Sequence, residues 1–226
     1  MAADSKKARE ERAHIVLIDE SGLFLNPLVR RSWSLRGHTP VIGGDGRHHQ
    51  KVSVIGAVSV SPRGRRLRLR WSTRADGYFG APEVIAFLRC VLGSLPGKVL
   101  VVWDGGTNHK GPLMRAFLAR NKRLWRERLP PYAPELNPVE SVWGGLKFGQ
   151  LANYVPDHLT MLDREISNRF RPLRRDQKLL RALWDASERP FPETLLNSFA
   201  YLPVITTAPT SAHASGSPFG FFSTVT

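Results

Sequence analysis

The spacing of hydrophobic residues along this chain changes period several times, and each change marks an element. Residues 15–18, Ile-Val-Leu-Ile, form an unbroken apolar run that ends at Asp19. Such a run predicts a strand buried on both faces, and Lys51–Val60, rich in β-branched residues, reads as another strand. Between Arg65 and Thr73 the period is two, with Arg66, Arg68 and Arg70 alternating with Leu67, Leu69 and Trp71. Side chains of a strand alternate between its faces, so this segment predicts a half-buried strand with a cationic outer face. The first third of the chain is thus expected to be antiparallel strands, joined through a Gly- and His-rich loop around residues 43–49.

From Pro82 the period becomes helical, with Val84, Phe87, Leu88, Val91 and Leu92 three or four positions apart and Gly97 as a stop. Val99–Trp103 is a second wholly apolar strand, and it too runs into an aspartate, Asp104. A helix at Pro112–Arg120 and a short strand near Arg123–Leu129 follow. A proline-rich turn, Leu-Pro-Pro-Tyr-Ala-Pro-Glu-Leu-Asn-Pro, then leads into a helix from Pro138 to about Phe148, with amphipathic helices near 157–170 and 176–188. The expected class is α/β, with one domain over residues 14–200, preceded by a charged arm at 1–13. Residues 201–226, rich in Ser, Thr, Ala, Pro and Gly and almost uncharged, read as a disordered tail.

Composition excludes several classes. No apolar run approaches the ~18 residues that span a bilayer, and the charged start lacks the apolar stretch of a signal peptide. The single cysteine, Cys90, rules out an internal disulfide framework or a cysteine-rich zinc site. A cytoplasmic protein is expected. Its 33 Lys and Arg against 19 Asp and Glu leave a net charge of +14, an excess that points to a polyanionic partner such as nucleic acid. Two arginine clusters are candidates for tracking a DNA backbone: Arg66, Arg68 and Arg70, and Arg164, Arg169, Arg171, Arg174 and Arg175 on the later helices. A solvated charged face is the plain alternative for each.

The acids change the picture further. Strands buried on both faces are normally parallel neighbours, and ligands gather at their carboxyl ends. Asp19 and Asp104 would then lie side by side, where two carboxylates repel until a proton or a cation intervenes. Oxygen donors favour Mg2+ or Mn2+. Glu140 supplies a third acid in the first turn of the helix that Asn137 caps and Pro138 opens, where the helix dipole favours its charge. Each acid also has a structural alternative: Asp19 and Asp104 as turn residues, and Glu140 as a partner in capping.

Leu-Ile-Asp-Glu-Ser-Gly at 17–22, Val-Val-Trp-Asp-Gly-Gly-Thr-Asn-His-Lys at 101–110 and the proline-rich element running into Asn137-Pro138-Val139-Glu140 together resemble the DDE transposases of the mariner superfamily. The nearest branch is the bacterial insertion-sequence family numbered 630. The second and third acids stand 36 positions apart (104 to 140), and the resemblance spans roughly residues 14–190. It implies an RNase H-like fold with a mixed central sheet flanked by helices. It also implies that Asp19, Asp104 and Glu140 bind two Mg2+ ions, with Mn2+ able to substitute, and that Asn137 and Pro138 position the third acid. His109 matches a histidine that follows the second aspartate, with an exposed helix-capping role as its alternative. Gly105 and Gly106 stand where the family has Asn directly after that aspartate.

The implied activity is cleavage of transposon ends and strand transfer into target DNA, by a homodimer that pairs both ends. Relatives carry helix-turn-helix modules before the first acid, and about a dozen residues are too few for one. A truncated or split enzyme is therefore expected, with a separate helix-turn-helix polypeptide as partner. Two alternatives remain: a relic that binds DNA without cutting it, and an RNase H-like nuclease that cuts but never joins.

Overall fold

The structure is a computed structural model that describes residues 10–26, 28–43, 50–106, 110–130 and 133–187. His109, the predicted tail at 201–226, most of the predicted arm at 1–13 and most of the loop at 43–49 lie outside those residues.

Five strands form one sheet in the order β3-β2-β1-β4-β5. They are β1 (His14–Phe24), β2 (Lys51–Val60), β3 (Leu67–Ala75), β4 (Val99–Trp103) and β5 (Leu124–Arg128). The first three pair antiparallel, whereas β4 joins β1 and β5 joins β4 in parallel, so the sheet is mixed. Helix α1 (Ala81–Gly93) connects β3 to β4, and α2 (Pro112–Arg120) connects β4 to β5. After β5 come α3 (Pro138–Gly144), a wider π-helical turn at Gly145–Gln150, α4 (Leu159–Leu173) and α5 (Gln177–Asp185).

The alternation of the strands builds two cores. Val16, Ile18, Val99, Val101 and Trp103 point to one face, where they meet Val84, Leu88 and Val91 of α1 and Met114 and Phe117 of α2. Leu17, Leu100 and Val102 point to the other, against Val139, Val142 and Trp143 of α3 and Ile166 and Phe170 of α4. The sheet is thus covered on both sides, as the apolar runs of β1 and β4 require.

Two elements differ from their sequence expectation. β1 runs on to Phe24 rather than stopping at Asp19, because β2 remains its partner over Asp19–Phe24 after β4 has ended. The helix expected over residues 138–148 changes pitch at Gly145, within the Gly144–Gly145 pair. At the open edge, Gln177 closes the ladder of β3: its Oε1 accepts from Leu67 N (3.0 Å) and its Nε2 donates to Leu67 O (2.9 Å).

Candidate active site

The pleat delivers two acids to the same face. Asp19 follows Leu17, and Asp104 follows Val102, by two residues, so both continue the series that faces α3 and α4. The pairing of β1 with β4 ends at Leu17 and Val102. Asp19 and Asp104 each follow that end by two residues, near enough for the Asp104 charge to push up the Asp19 pKa. Asp104 is exposed, and its Oδ1 accepts a hydrogen bond from Gly106 N (3.0 Å).

The third acid arrives on α3, whose start is tied to β1 by one side chain. Asn137 is 3% exposed; its Oδ1 caps the helix by accepting from Val139 N (3.2 Å), and its Nδ2 donates to Ile18 O (3.3 Å), one residue before Asp19. Pro138 occupies the first helical position, where a missing N–H costs nothing. Glu140 follows in the first turn, and its backbone N–H donates to Asn137 O (3.0 Å).

One turn further along α3, Trp143 Nε1 donates to Asp19 Oδ2 (2.6 Å). Room for that indole comes from Gly56, the β2 residue paired with Asp19. A Cβ at Gly56 would stand 2.7 Å from Trp143 Cη2 and 3.3 Å from Val139 Cγ1, so any side chain there would push α3 off the sheet. Sequence reading did not identify this contact of Trp143. The available signal was its position three residues after Glu140, on the same side of a helix. Nearby, Lys147 Nζ donates to Ser21 Oγ (2.6 Å).

The electrostatics of Asp19 record the convergence. Its pKa is pushed up from 3.8 to about 7, first by burial and then by the negative charge of Glu140, with a smaller push from Asp104. The Trp143 indole and the Glu20 backbone N–H oppose the rise by bonding to the carboxylate. A divalent cation would remove the repulsion that the proton otherwise removes, and the donors are carboxylate oxygens, which suit a hard ion. In charge and donor chemistry the acids therefore fit such an ion. They are not gathered as a finished cage: among the described residues no three His, Cys, Asp or Glu side chains stand together at ligating distance.

The two arginine clusters meet in part. Arg66, Arg68, Arg70, Arg174, Arg175 and Gln177 line a cavity of about 520 Å3 beside the β3 edge. Arg68 and Arg70 are half-buried rather than solvent-facing, because Arg68 Nη1 donates to Ser94 O (2.7 Å) and Arg70 Nε to Ser94 Oγ (2.8 Å) at the end of α1. Arg174 lies over the Trp71 ring at 5.7 Å. Arg164, Arg169 and Arg171 are exposed on α4 and do not line the cavity; Arg169 pairs with Glu165 (2.6 Å), and Arg171 donates to Asn168 Oδ1 (3.2 Å).

Comparison with known proteins bears on this geometry. The sequence profile of a family described as DDE superfamily endonuclease matches residues 14–159. Among solved structures, the fold resembles the Mos1 transposase paired-end complex with the left transposon end, at TM-score 0.56 and 18% identity over 87% of this chain and 58% of that one. It also resembles the Mos1 mariner paired-end complex with Mn (TM-score 0.56, 16% identity, 89% of this chain and 61% of that one). The Mos1 strand transfer complex matches at TM-score 0.56 and 17% identity, over 89% of this chain and 58% of that one. This chain therefore spans about three fifths of the length of those transposases, and at such identities the likeness is one of fold. No curated protein matches the chain. The mixed five-stranded sheet with flanking helices is the RNase H-like arrangement expected from the sequence.

Proposed function

The chain belongs to the DDE superfamily of endonucleases, and from that premise we propose that it is the catalytic part of a mariner-like transposase, of the insertion-sequence 630 type. It cuts DNA at transposon ends and joins the freed 3′ ends to target DNA. The observation that carries this reading is the coupling of Asp19 to Glu140 and Asp104, brought to one face of the sheet by the β1–β4 register and the Asn137 clamp.

Asp19, Asp104 and Glu140 are the residues that would hold two Mg2+ ions, with Mn2+ as a substitute. When bound, such a pair supplies activation of a water or a 3′-hydroxyl and stabilisation of the leaving oxygen in an in-line displacement. The protein residues do the rest. Asn137 and Pro138 fix where Glu140 leaves the helix, and Trp143 orients the Asp19 carboxylate. Asp104 and Glu140, the two exposed acids, would complete the set of oxygen donors that Asp19 begins. His109, which lies outside the described residues, would by the family resemblance act at the scissile phosphate. Arg66, Arg68, Arg70, Arg174 and Arg175 hold the DNA backbone along the cavity beside β3, and Arg164, Arg169 and Arg171 extend that surface.

The two ends of a transposon call for a homodimer. No helix among the described residues is long and apolar enough to cross a membrane, and we place the protein in the cytoplasm, on the nucleoid.

The test is a pair of assays with Mg2+ or Mn2+. Nicking of end-bearing duplex DNA by the parent and not by Asp104→Ala, followed by joining of a pre-cleaved end, supports the transposase. Cutting of DNA or RNA–DNA hybrids without any joining would assign the site to a nuclease. Among the described residues no three-acid cage is finished, which favours a second reading, a DNA-binding relic; DNA bound but left uncut by both parent and Asp104→Ala would support it.

A further inference from the structure

The residue after the second acid, Gly105, has its missing side chain replaced in space by an arginine from the neighbouring strand. A Cβ at Gly105 would overlap Nη2, Cζ and Nε of Arg128, so the whole guanidinium lies against this backbone. Arg128 is the last residue of β5 and pairs with Trp103, the last residue of β4. The guanidinium is thus set at the carboxyl rim of the sheet, one residue beyond Asp104. Arg128 is exposed, so a ligand can reach it from solvent.

We infer that Arg128 is a phosphate-positioning residue for the DNA strand engaged at the acids, and that Gly105 is present to seat it. This rests on the DNA-acting reading above. Three physical points support it. A guanidinium is planar, always charged and matched to two phosphate oxygens at once. Lying flat on a glycine, it has its plane and direction restricted before any ligand arrives, so less freedom is lost on binding. And the rim position puts a positive charge at the end of the sheet where β4 runs into Asp104, against the residue that follows that acid. Gly105 also gives the site an internal control: its flexible neighbour is the far end of a side chain, so a methyl group at 105 displaces the guanidinium rather than the backbone.

The experiment measures binding of the full chain to a short end-bearing duplex over a salt series without divalent ions, with thermal melting to confirm that each variant folds. Each phosphate neutralised contributes about 0.9 to the slope of log K against log salt. Arg128→Ala is expected to weaken binding several-fold and lower that slope by about one phosphate. Arg128→Lys should retain the slope but not the full affinity, because it keeps the charge and loses the fork. Gly105→Ala should resemble Arg128→Ala although no charge has been removed. If the parent binds while Arg128→Ala and Gly105→Ala keep its slope and affinity, the assignment is overturned. If the variants leave DNA binding unchanged and a separate Mn2+ titration alone shifts, Arg128 is a counterion of Asp104 and the assignment is equally overturned. A parent that binds no DNA under any salt condition overturns the functional reading along with it.

Discussion

A carboxyl group buried beside two others holds its proton more tightly in the folded chain than in the unfolded one, and for Asp19 the folded value is about 7 against an ordinary 3.8. Between those values the folded state carries the extra proton. The contribution of Asp19 to the stability of the metal-free protein is therefore most favourable below pH 4, falls as pH rises toward 7, and stays low above that. At ~1.4 kcal/mol per unit, the cost is a few kcal/mol. Asp19→Asn should relieve it: without divalent ions at pH 8 its Tm is expected to exceed the parent's by roughly 5–10 °C, with little difference at pH 4. An equal or lower Tm at pH 8 would contradict the assignment. Cleavage should be lost in the same variant. Trp143→Phe tests the opposing contact, since it keeps most of the ring and removes the N–H that stabilises the charged carboxylate. The pH midpoint for Mn2+ binding should move up by about one unit, the worth of one hydrogen bond to a charged group. An unmoved midpoint would mean that the indole serves packing alone.

Elements whose residues carry one consistent period were legible in the sequence. Lys51–Val60, Val99–Trp103 and Pro112–Arg120 have the bounds their patterns indicated, because every position in them answers to burial. β1 was legible only to Ile18. Beyond it Asp19, Glu20, Ser21 and Gly22 remain in a strand through hydrogen bonding to β2, and backbone pairing leaves no apolar signature. Exposed Val29, Trp33, Leu35 and Val41 in the long β1–β2 connection gave no usable period either, since apolar residues that do not pack follow none. In the site, the acids and the Asn137-Pro138 turn could be read from sequence. The Ile18 carbonyl as a partner of Asn137, and Gly56 as the space for Trp143, could not, since both depend on neighbours far away in the chain. Asn137→Ala removes a helix cap and a buried partner together, and should cost about 2 kcal/mol. Chemical denaturation would measure it; a loss under 0.5 kcal/mol would show that the clamp between α3 and β1 is not holding.

At the scale of the molecule, charge and shape point the same way. The net charge of +14 includes arginines from two remote stretches, 66–70 and 174–175, gathered on one cavity wall. The sequence carried the charges, but only the packing of α4 and α5 along β3 could show which of them converge. Several phosphate contacts make affinity steep in salt, and a fall of roughly a hundredfold or more between 50 and 200 mM is expected in titrations with duplex DNA. A flat response would remove nucleic acid from consideration as the partner of this surface.

The amide of Gln177 has a further consequence. An unpaired strand margin is a template on which a second polypeptide can add itself, and many proteins stick to their own copies in that way. Here one side chain already occupies both the outward N–H and the outward C=O of Leu67, as a rung from another chain would. Self-recruitment by sheet extension is therefore blocked at that end of the margin. A second polypeptide that extended this sheet would have to dock elsewhere than at Leu67, or first displace the Gln177 amide from both of its bonds.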